Sequence, residues 1–420
     1  MTAPIFAILL FGGVPIAFVL GLAAVAYIVE SDNQILFDSF ALQMFGGLEN
    51  YGLLAIPLFM LTGELMNEGG ITKRLINAAR VFVGGFRGGL AWINLLANMF
   101  MAAIVGSAAS QIAIMSRAMV PAMEAEGYDR GFAAASTAAG GLLAPVIPPS
   151  MLFVIFAVLA QIPVGEMFLA GLVPGLLMFI SFAVVIATIG FFNPFPAGRW
   201  MTRPQALRAL AEAVPAVTIP AAIIGGVLFG FATPTESAAV ASVVALLLGT
   251  LVYRELKLGD LWPAFKRTAQ NAALVILMIA TANVFGWVVI YEAIPQKLAA
   301  LLITITENPF LFLLIVNLCL LIIGMLIDGI AAVILITPIL LPIAMNDYDI
   351  SPYQFGVVIS INLILGLLTP PVGIGLYIAS AMSGVKPVTI FKALWPFLLA
   401  TLVVLILLSR FPWLSTALIG

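Results

Sequence analysis

Seven long stretches without a single charged residue dominate this 420-residue chain and limit what it can fold into. They contain no Asp, Glu, Lys or Arg and span residues 88–116, 131–165, 167–198, 213–235, 268–291, 308–327 and 350–385. About 20 apolar residues are enough to cross the hydrocarbon core of a bilayer. Only 9% of the residues are charged, against about a quarter in soluble domains. The sequence therefore predicts an all-α polytopic membrane protein with about 10–11 transmembrane helices.

The rest of the composition argues against several other classes. A net charge of −2 gives no basic surface for a nucleic acid, and Cys319 alone provides neither a disulfide framework nor a thiol metal site. Without histidine a Ser-His dyad is impossible, and an aspartyl pair needs two deep carboxylates where only Asp328 is deep. The N-terminus lacks the basic region of a cleavable signal, so we interpret it as the first membrane segment, with residues 12–15 splitting the run 4–29 in two.

The charged segments between the apolar runs alternate in sign. Acidic segments lie at 30–49 (which includes Asp32), around Glu166 and at 347–349, and basic ones lie at 73–87, 199–208, 254–267 and 386–392. Basic segments face the cytoplasm by the positive-inside rule. The run 88–123 then enters and leaves on the cytoplasmic side, and 308–346 does so on the outer side. Each is predicted to be a re-entrant hairpin, with its tip at 106–110 or at 328–329.

The two halves of the chain carry matching motifs in the same order. Prolines 121, 148–149 and 174 correspond to 342, 370–371 and 396, and the Tyr-Asp pair at 128–129 corresponds to 348–349. The opposite hairpin orientations predict an inverted repeat, which is typical of secondary transporters with a site near the membrane midplane. We expect a first repeat at 1–194, a cytoplasmic connector at 195–212 and a second repeat at 213–420.

Proline-rich breaks interrupt two of the apolar runs, at 144–150 and at 366–373. Each proline removes a backbone donor, which leaves carbonyl oxygens free to coordinate a small hard cation. Lipid does not satisfy such groups, so the breaks must line a cavity or pack within protein. A simple kinked helix is the alternative. The repetition of the break beside each hairpin favours a binding site.

These and further motifs resemble the large membrane subunit of tripartite ATP-independent periplasmic (TRAP) transporters. In the first half they are GSAAS at 106–110, VPAM at 120–123, GYD at 127–129, FAA at 132–134, IPPS at 147–150 and LAGLVPG at 169–175. In the second half they are TPTE at 233–236, GM at 324–325 with Asp328, TPILLP at 337–342 and LTPPVG at 368–373. The resemblance extends over nearly the whole chain, although Gln111 and Gly329 depart from the family pattern.

The resemblance implies an elevator-type, sodium-coupled importer of organic acid anions in the bacterial inner membrane. Its fold is expected to be similar to that of the divalent anion/sodium symporters. The expected partners are a small four-helix membrane subunit and a periplasmic substrate-binding protein. A self-sufficient anion/sodium symporter is the alternative, and a channel suits an inverted repeat less well.

The resemblance also implies the site residues. For sodium it implies Ser107, Gly141, Pro145 and Pro148 in one site, and Asp328, Gly329, Gly366, Thr369 and Val372 in the other. For the substrate it implies Ser107, Ser110, Gln111, Ser150 and Thr369.

Several charged residues allow two interpretations each. Asp328 is either an ion ligand or the N-cap of the second hairpin helix, and the two roles are compatible. Glu236 is interpreted as a cap, and Arg117 either faces the cavity or extends to the cytoplasmic surface. Glu64 with Asn67 marks the interfacial end of a helix, and 73–87 is predicted to be an amphipathic interfacial helix.

Overall fold

Helices form every regular element in the part of the chain that the structure, a computed structural model, describes: residues 2–31, 34–193 and 195–419. Asp32 and residue 194, the expected end of the first repeat, lie outside these ranges. The helices are α1 Thr2–Phe11, α2 Ile16–Glu30, α3 Gln34–Gly46, α4 Ala55–Glu68, α5 Ile71–Val83, α6 Gly89–Val105, α7 Ala108–Ala125, α8 Arg130–Gly141, α9 Met151–Ala160, α10 Val164–Phe192, α11 Arg203–Leu228, α12 Pro234–Leu247, α13 Leu258–Tyr291, α14 Ile294–Ile305, α15 Pro309–Leu326, α16 Gly329–Asn346, α17 Pro352–Leu367, α18 Ile374–Ser383, α19 Pro387–Arg410 and α20 Trp413–Thr416. A 3₁₀ turn, Tyr51–Leu54, precedes α4, and a π turn, Leu248–Val252, continues α12.

One local prediction is confirmed, and a second is confirmed in part. Residues 12–15 separate α1 from α2, because Gly13 takes a positive φ of 77° and Pro15 precedes the next helix. The segment 73–87, predicted to be an amphipathic interfacial helix, is helical only as far as Val83, in α5, which buries Ile71, Leu75 and Ala79 on one face. Its position at the membrane interface stays a prediction.

Fewer helices than expected are long and apolar enough to span a membrane. Seven in the described residues are long and apolar enough to cross a bilayer, or eight if the bent pair Leu36–Gly46 and Tyr51–Glu68 forms one span. The difference from the expected 10–11 has a structural reason. The apolar runs with proline-rich breaks are divided into helices such as α9 and α18, which have 10 residues each. Each half is too short to span the membrane alone.

Five consecutive helices of the first half match five of the second. α6 and α15 begin at residues 89 and 309, α7 and α16 at 108 and 329, α8 and α17 at 130 and 352, α9 and α18 at 151 and 374, and α10 and α19 at 164 and 387. The sequence motifs show the same spacing, so the repeat has a counterpart in secondary structure. The opposite orientation of the two halves in the membrane stays a prediction.

Two groups of helices describe the packing. The scaffold group consists of α2, α4, α12 and α13. Within it, α13 packs on α2 and α4, and α4 packs on α12. The hairpin group, α6–α9 and α15–α19, contains both helix–tip–helix units and both broken helices. Within it α7 packs against α8 and α18, and α15 and α16 pack against α17. The contacts of α4 with α6 and of α13 with α16 join the two groups.

Close backbone contact fixes the second hairpin on its broken helix. A Cβ atom added at Gly366 of α17 would lie 2.7 Å from the Gly324 Cα of α15. Gly373, just after the break, also donates its N–H to the Met325 carbonyl at 3.4 Å. The hairpin therefore rests directly on the main chain of the break, with no side chain between them at this point.

This contact predicts the effect of a methyl group. We expect Gly366→Ala to lower the stability of the protein by about 1–3 kcal/mol, because backbone on the facing helix has no room to move aside. Thermal unfolding of the purified protein measures it. Gly259→Ala is the control, since nothing lies within 4 Å of a Cβ there. Equal unfolding temperatures of the two variants would contradict the prediction.

Candidate functional site

The two hairpin tips meet at a small cavity inside the hairpin group. The cavity has a volume of about 40 Å³ and is lined at the tips by Gly106, Ser107, Asp328 and Gly329, with Pro145 from the first break. Gly106 takes a positive φ of 61°, and a Cβ there would lie 3.2 Å from the Pro149 carbonyl oxygen. The tip can thus turn tightly onto the break because this position is a glycine.

The chemistry of this small cavity suits a hard cation. It brings together the Ser107 hydroxyl, the Asp328 carboxylate and the irregular backbone at Pro145, all of which offer oxygen atoms. Helices α7 and α16 also begin here, at Ala108 and Gly329, so two positive helix ends lie beside it. The tips therefore offer oxygen atoms to a cation and helix N-termini to an anion. The oxygen ligands fit sodium.

A second cavity of about 340 Å³ lies between the hairpin tips and the scaffold group. From the tips it is lined by Ser107, Ser110 and Asp328. From the scaffold group it is lined by polar residues of α4 and α13, namely Glu64, Asn67, Thr268 and Asn271, together with Met60, Leu274 and Met278. Sequence reasoning placed Glu64 and Asn67 at a helix end and gave no role to Thr268 or Asn271.

Glu64 shares one guanidinium with Glu68 on the scaffold side. Its carboxylate accepts a hydrogen bond from Arg267 Nε at 2.9 Å, and Glu68 accepts one from Arg267 Nη2 at 2.6 Å. Among the lining residues that the structure describes there is no Lys or Arg. The large cavity is therefore polar and acidic, without a basic side chain in its wall.

Asp328 is the N-cap of α16. Its carboxylate accepts a hydrogen bond from the Ile330 N–H at 3.0 Å, and the residue is exposed to both cavities. The cap predicted from the sequence is thus present, and it leaves the carboxylate facing the cavities. Ser107 occupies the equivalent position before α7, with no hydrogen bond from its side chain to the helix.

Two of the expected substrate residues are buried away from both cavities. Gln111 is fully buried, and its Nε2 donates to the Asn98 carbonyl at 2.9 Å and to Asn98 Oδ1 at 3.0 Å. Ser150 is 1% exposed; its hydroxyl donates to the Pro145 carbonyl at 2.6 Å and accepts from the Phe153 N–H at 3.2 Å. These hydrogen bonds hold the hairpin and the break in shape.

Of the other expected ion ligands, only Pro145 and Gly329 line the small cavity with Ser107 and Asp328. Gly141 and Pro148 are buried in the first break, and Gly366 lies against Gly324. The Thr369 hydroxyl donates to the Leu365 carbonyl at 2.8 Å, and Val372 is 39% exposed. The first break is covered by protein, while 370–372 in the second break is exposed.

Buried amides join hairpin to broken helix in both halves. In the first, Asn98 of α6 lies beside Gly140 of α8, and Gln111 also reaches the Gly140 carbonyl at 3.3 Å. In the second, Asn362 of α17 donates to the Asn317 carbonyl and Oδ1 at 2.8 and 2.9 Å. We call these two sets the amide joints. They satisfy the amide N–H groups of Gln111 and Asn362, whereas Gln111 Oε1 and Asn362 Oδ1 have no hydrogen-bond partner among the described residues.

The remaining charged candidates lie outside the two cavities. Arg117 is exposed, with its Nη2 3.5 Å from Met382 Sδ. Glu236 forms the predicted cap, accepting from the Thr233 N–H at 2.8 Å in a capping box. It borders a larger surface cavity of about 660 Å³ that no residue of either hairpin tip lines.

Comparison with solved structures defines the class first. The fold is similar to that of the Alcanivorax borkumensis YdaH transporter, with a TM-score of 0.65, 14% identity, and coverage of 91% of this chain and 89% of that one. A helical membrane protein with two hairpins and two broken helices around a polar cavity therefore has the fold of a membrane transporter.

Sequence comparison identifies the family. Residues 4–414 match the family described as the tripartite ATP-independent periplasmic transporter, DctM component. The chain is 39% identical to the sialic acid TRAP transporter large permease protein SiaM of Vibrio cholerae, over 96% of this chain and 94% of the relative. It is 36% identical to the C4-dicarboxylate TRAP transporter large permease protein DctM of Pseudomonas aeruginosa, over 90% and 89%. The chain belongs to the large permease subunits of TRAP transporters, which confirms the resemblance, and it is a multi-pass membrane permease and not an enzyme.

The hydrogen bonds of Ser150 predict a structural role. We expect Ser150→Ala to cost about 1 kcal/mol of stability, as other lost N-caps do, because both the Phe153 N–H and the Pro145 carbonyl lose a partner. Thermal unfolding measures the loss, with Ser181→Ala in α10 as control, where a hydroxyl donates to the Met178 carbonyl. Unchanged stability with a raised KM for substrate would instead support the substrate role expected from the sequence.

Proposed function

We propose that this chain is the permease of a sodium-coupled importer of an organic acid anion. The observation that carries the proposal is the meeting of Ser107 and Asp328 at one oxygen-lined cavity, beside the first turns of α7 and α16. Oxygen ligands bind a hard cation, and helix N-termini favour an anion. Sodium and substrate then stabilise each other at the tips, which is the basis of coupled transport.

Sodium is a better candidate for the coupling ion than a proton. The chain has no histidine to relay protons. The small cavity offers hydroxyl, carboxylate and backbone oxygen atoms of the kind that sodium prefers. We retain the ligands expected from the sequence at Gly141, Pro148, Gly366, Thr369 and Val372 as proposed members of the ion sites, because they lie in or beside the two breaks, although they do not line the small cavity.

The relatives supply the substrate class and the partners. Two similar permeases are described as transporters of sialic acid and of C4-dicarboxylates, both of which are organic acid anions. The family description, a tripartite periplasmic transporter, supports a periplasmic substrate-binding protein and a small four-helix membrane subunit as partners. The chain then works in the bacterial inner membrane, with residues 1–194 and 213–420 as inverted repeats around the connector 195–212.

The position of the large cavity supports alternating access by an elevator motion. Its polar wall on α4 and α13 adjoins the basic segments 73–87 and 254–267, which the positive-inside rule places in the cytoplasm. We infer that the cavity opens inward and that the hairpin group moves against the scaffold group to open it outward. A substrate held at the tips would travel with the hairpin group.

Energy coupling is tested by reconstitution. We expect an inward sodium gradient to drive uptake into proteoliposomes that contain this chain, the small subunit and the loaded binding protein. Sialic acid and succinate are the labelled substrates, and potassium replaces sodium in the control. Equal uptake with a proton gradient alone would contradict sodium coupling. Full activity without the two partners would favour the self-sufficient symporter.

Variants at the two tips test the ion sites. We expect Ser107→Ala to raise the half-activating sodium concentration modestly, and Asp328→Asn to raise it by about tenfold or more, since tenfold is ~1.4 kcal/mol. Asparagine keeps the cap of α16 and removes the charge, so stability should change little. Asp129→Asn is the control because Asp129 caps α8 by accepting from the Phe132 N–H at 2.8 Å, outside both cavities. Normal sodium activation in both tip variants would show that the ion sites lie elsewhere.

A further inference from the structure

The first part of the connector, residues 195–200, lies across the link between α5 and α6. This link, residues 84–88, contains three glycines. Gly198 of the connector packs directly on the main chain of the link. A Cβ atom added at Gly198 would lie 2.1 Å from the Phe86 carbonyl oxygen and 2.5 Å from that of Gly84. We call this backbone contact between connector and link the clasp, and it exists because the connector has no side chain at this point.

Two aromatic side chains of the connector flank the clasp. Phe195 contacts the hairpin group, since its ring centroid lies 5.3 Å from that of Tyr128 and 5.1 Å from that of Phe132. Trp200 lies over Gly85, where an added Cβ atom would be 1.9 Å from the indole ring. The connector therefore contacts the hairpin group at one end and the link, just after α5, at the other.

Helix α5 itself is held on the scaffold side. It packs on α11. Its Arg74 forms an ion pair with Glu255 at 2.9 Å, and the guanidinium lies 3.8 Å from the ring centroid of Tyr253. Both partners lie between α12 and α13, two helices of the scaffold group. Since α6 belongs to the hairpin group, the link 84–88 is where the chain must bend if the two groups move against each other.

The corresponding link of the second half is more open. It joins α14 to α15 through residues 306–308, of which Glu307 and Asn308 are exposed. In the first link Gly84 and Gly88 are buried. The two links are equivalent in the repeat, but bending the first one disturbs close backbone contacts with the connector, while the second one lies in the open.

We propose that the clasp is a latch for the inward-open state, and that Gly198 and Trp200 set the balance between this state and the outward-open one. The inference rests on the proposed function, because it takes the movement of the hairpin group from there. The Gly88 N–H donates to the Pro196 carbonyl at 3.0 Å, which ties the connector to the start of α6. When the link bends, the connector follows the hairpin group, and the indole ring is drawn away from Gly85.

Distance measurements between two spin labels test the latch on the full chain with its small subunit in lipid nanodiscs. The labels are attached at Leu258→Cys in α13 and Lys392→Cys in α19, two exposed positions on the scaffold and hairpin groups. Cys319→Ser removes the one native thiol. In sodium chloride we expect one main distance for the otherwise unaltered chain. Gly198→Ala, whose methyl group has no room against the link, and Trp200→Ala should each raise the population of a second distance by about threefold or more.

Matched variants keep the test interpretable. Trp200→Phe retains a ring over Gly85 and should keep the original distribution. Gly46→Ala is the control for the glycine, because nothing lies within 4 Å of a Cβ there. Trp413→Ala is the control for the indole, since Trp413 is 60% exposed and Trp200 62%. A merely structural role predicts a lower unfolding temperature with an unchanged distance distribution, and that result overturns the inference. If Gly198→Ala does not fold, the Trp200 variants decide alone.

The same measurements separate failure of the latch from failure of the proposed function. Two distances in an equal ratio in all variants, together with sodium-driven uptake, would overturn the latch and leave the proposed function intact. A shift as large in the controls as in the clasp variants would also overturn it. A single distance in every sample, with the loaded binding protein present, would overturn the elevator motion and the latch with it.

Discussion

The need to cover irregular backbone inside the membrane determines how this chain is arranged. A bilayer offers no partner to a free N–H or carbonyl, so each tip and each break must be covered by protein or line a water-filled cavity. Here they cover one another: the first tip turns onto the Pro149 carbonyl, and Gly373 after the second break donates to Met325 at the end of α15. The polar cavity at the tips follows from the same arrangement, because carbonyl, hydroxyl and carboxylate groups converge where the irregular segments meet.

Each half contains one hairpin and one proline-rich break, but the two breaks differ in their exposure. The first break is buried in protein, with α10 against it at Val146, while the second presents residues 370–372 at the surface. Exact twofold equivalence would give both breaks the same cover. The asymmetry is compatible with the proposed alternating access, in which one of two related pathways is closed while the other is open.

Local signals made much of the fold predictable. Proline and glycine indicated the hairpin tips, the breaks and the division of α1 from α2, and Glu236 after Thr233 indicated a helix cap, which the structure shows as a capping box. Chain-distant contacts were not predictable. Gln111 and Ser150 are polar residues near the tip and the break, and only the packing of α6, α7 and α9 shows that they face inward. Nothing in the sequence singled out Thr268, a small residue of an apolar helix. It lines the large cavity because α13 faces the hairpin tips, and the periodicity of a single sequence does not predict which helices face each other.

The amide joints have a consequence for the conditions under which the protein works. Gln111 with the Gly140 carbonyl, and Asn362 with Asn317, bind hairpin to broken helix through groups that neither gain nor lose a proton. Histidine, whose unperturbed pKa allows it to change charge between pH 5 and 8, is absent from the whole sequence. An inner-membrane protein faces a periplasm whose acidity follows the surrounding medium. Joints made of amides contain no group that gains a proton when that medium turns acid, so this contact between hairpin and broken helix does not depend on the pH outside the cell.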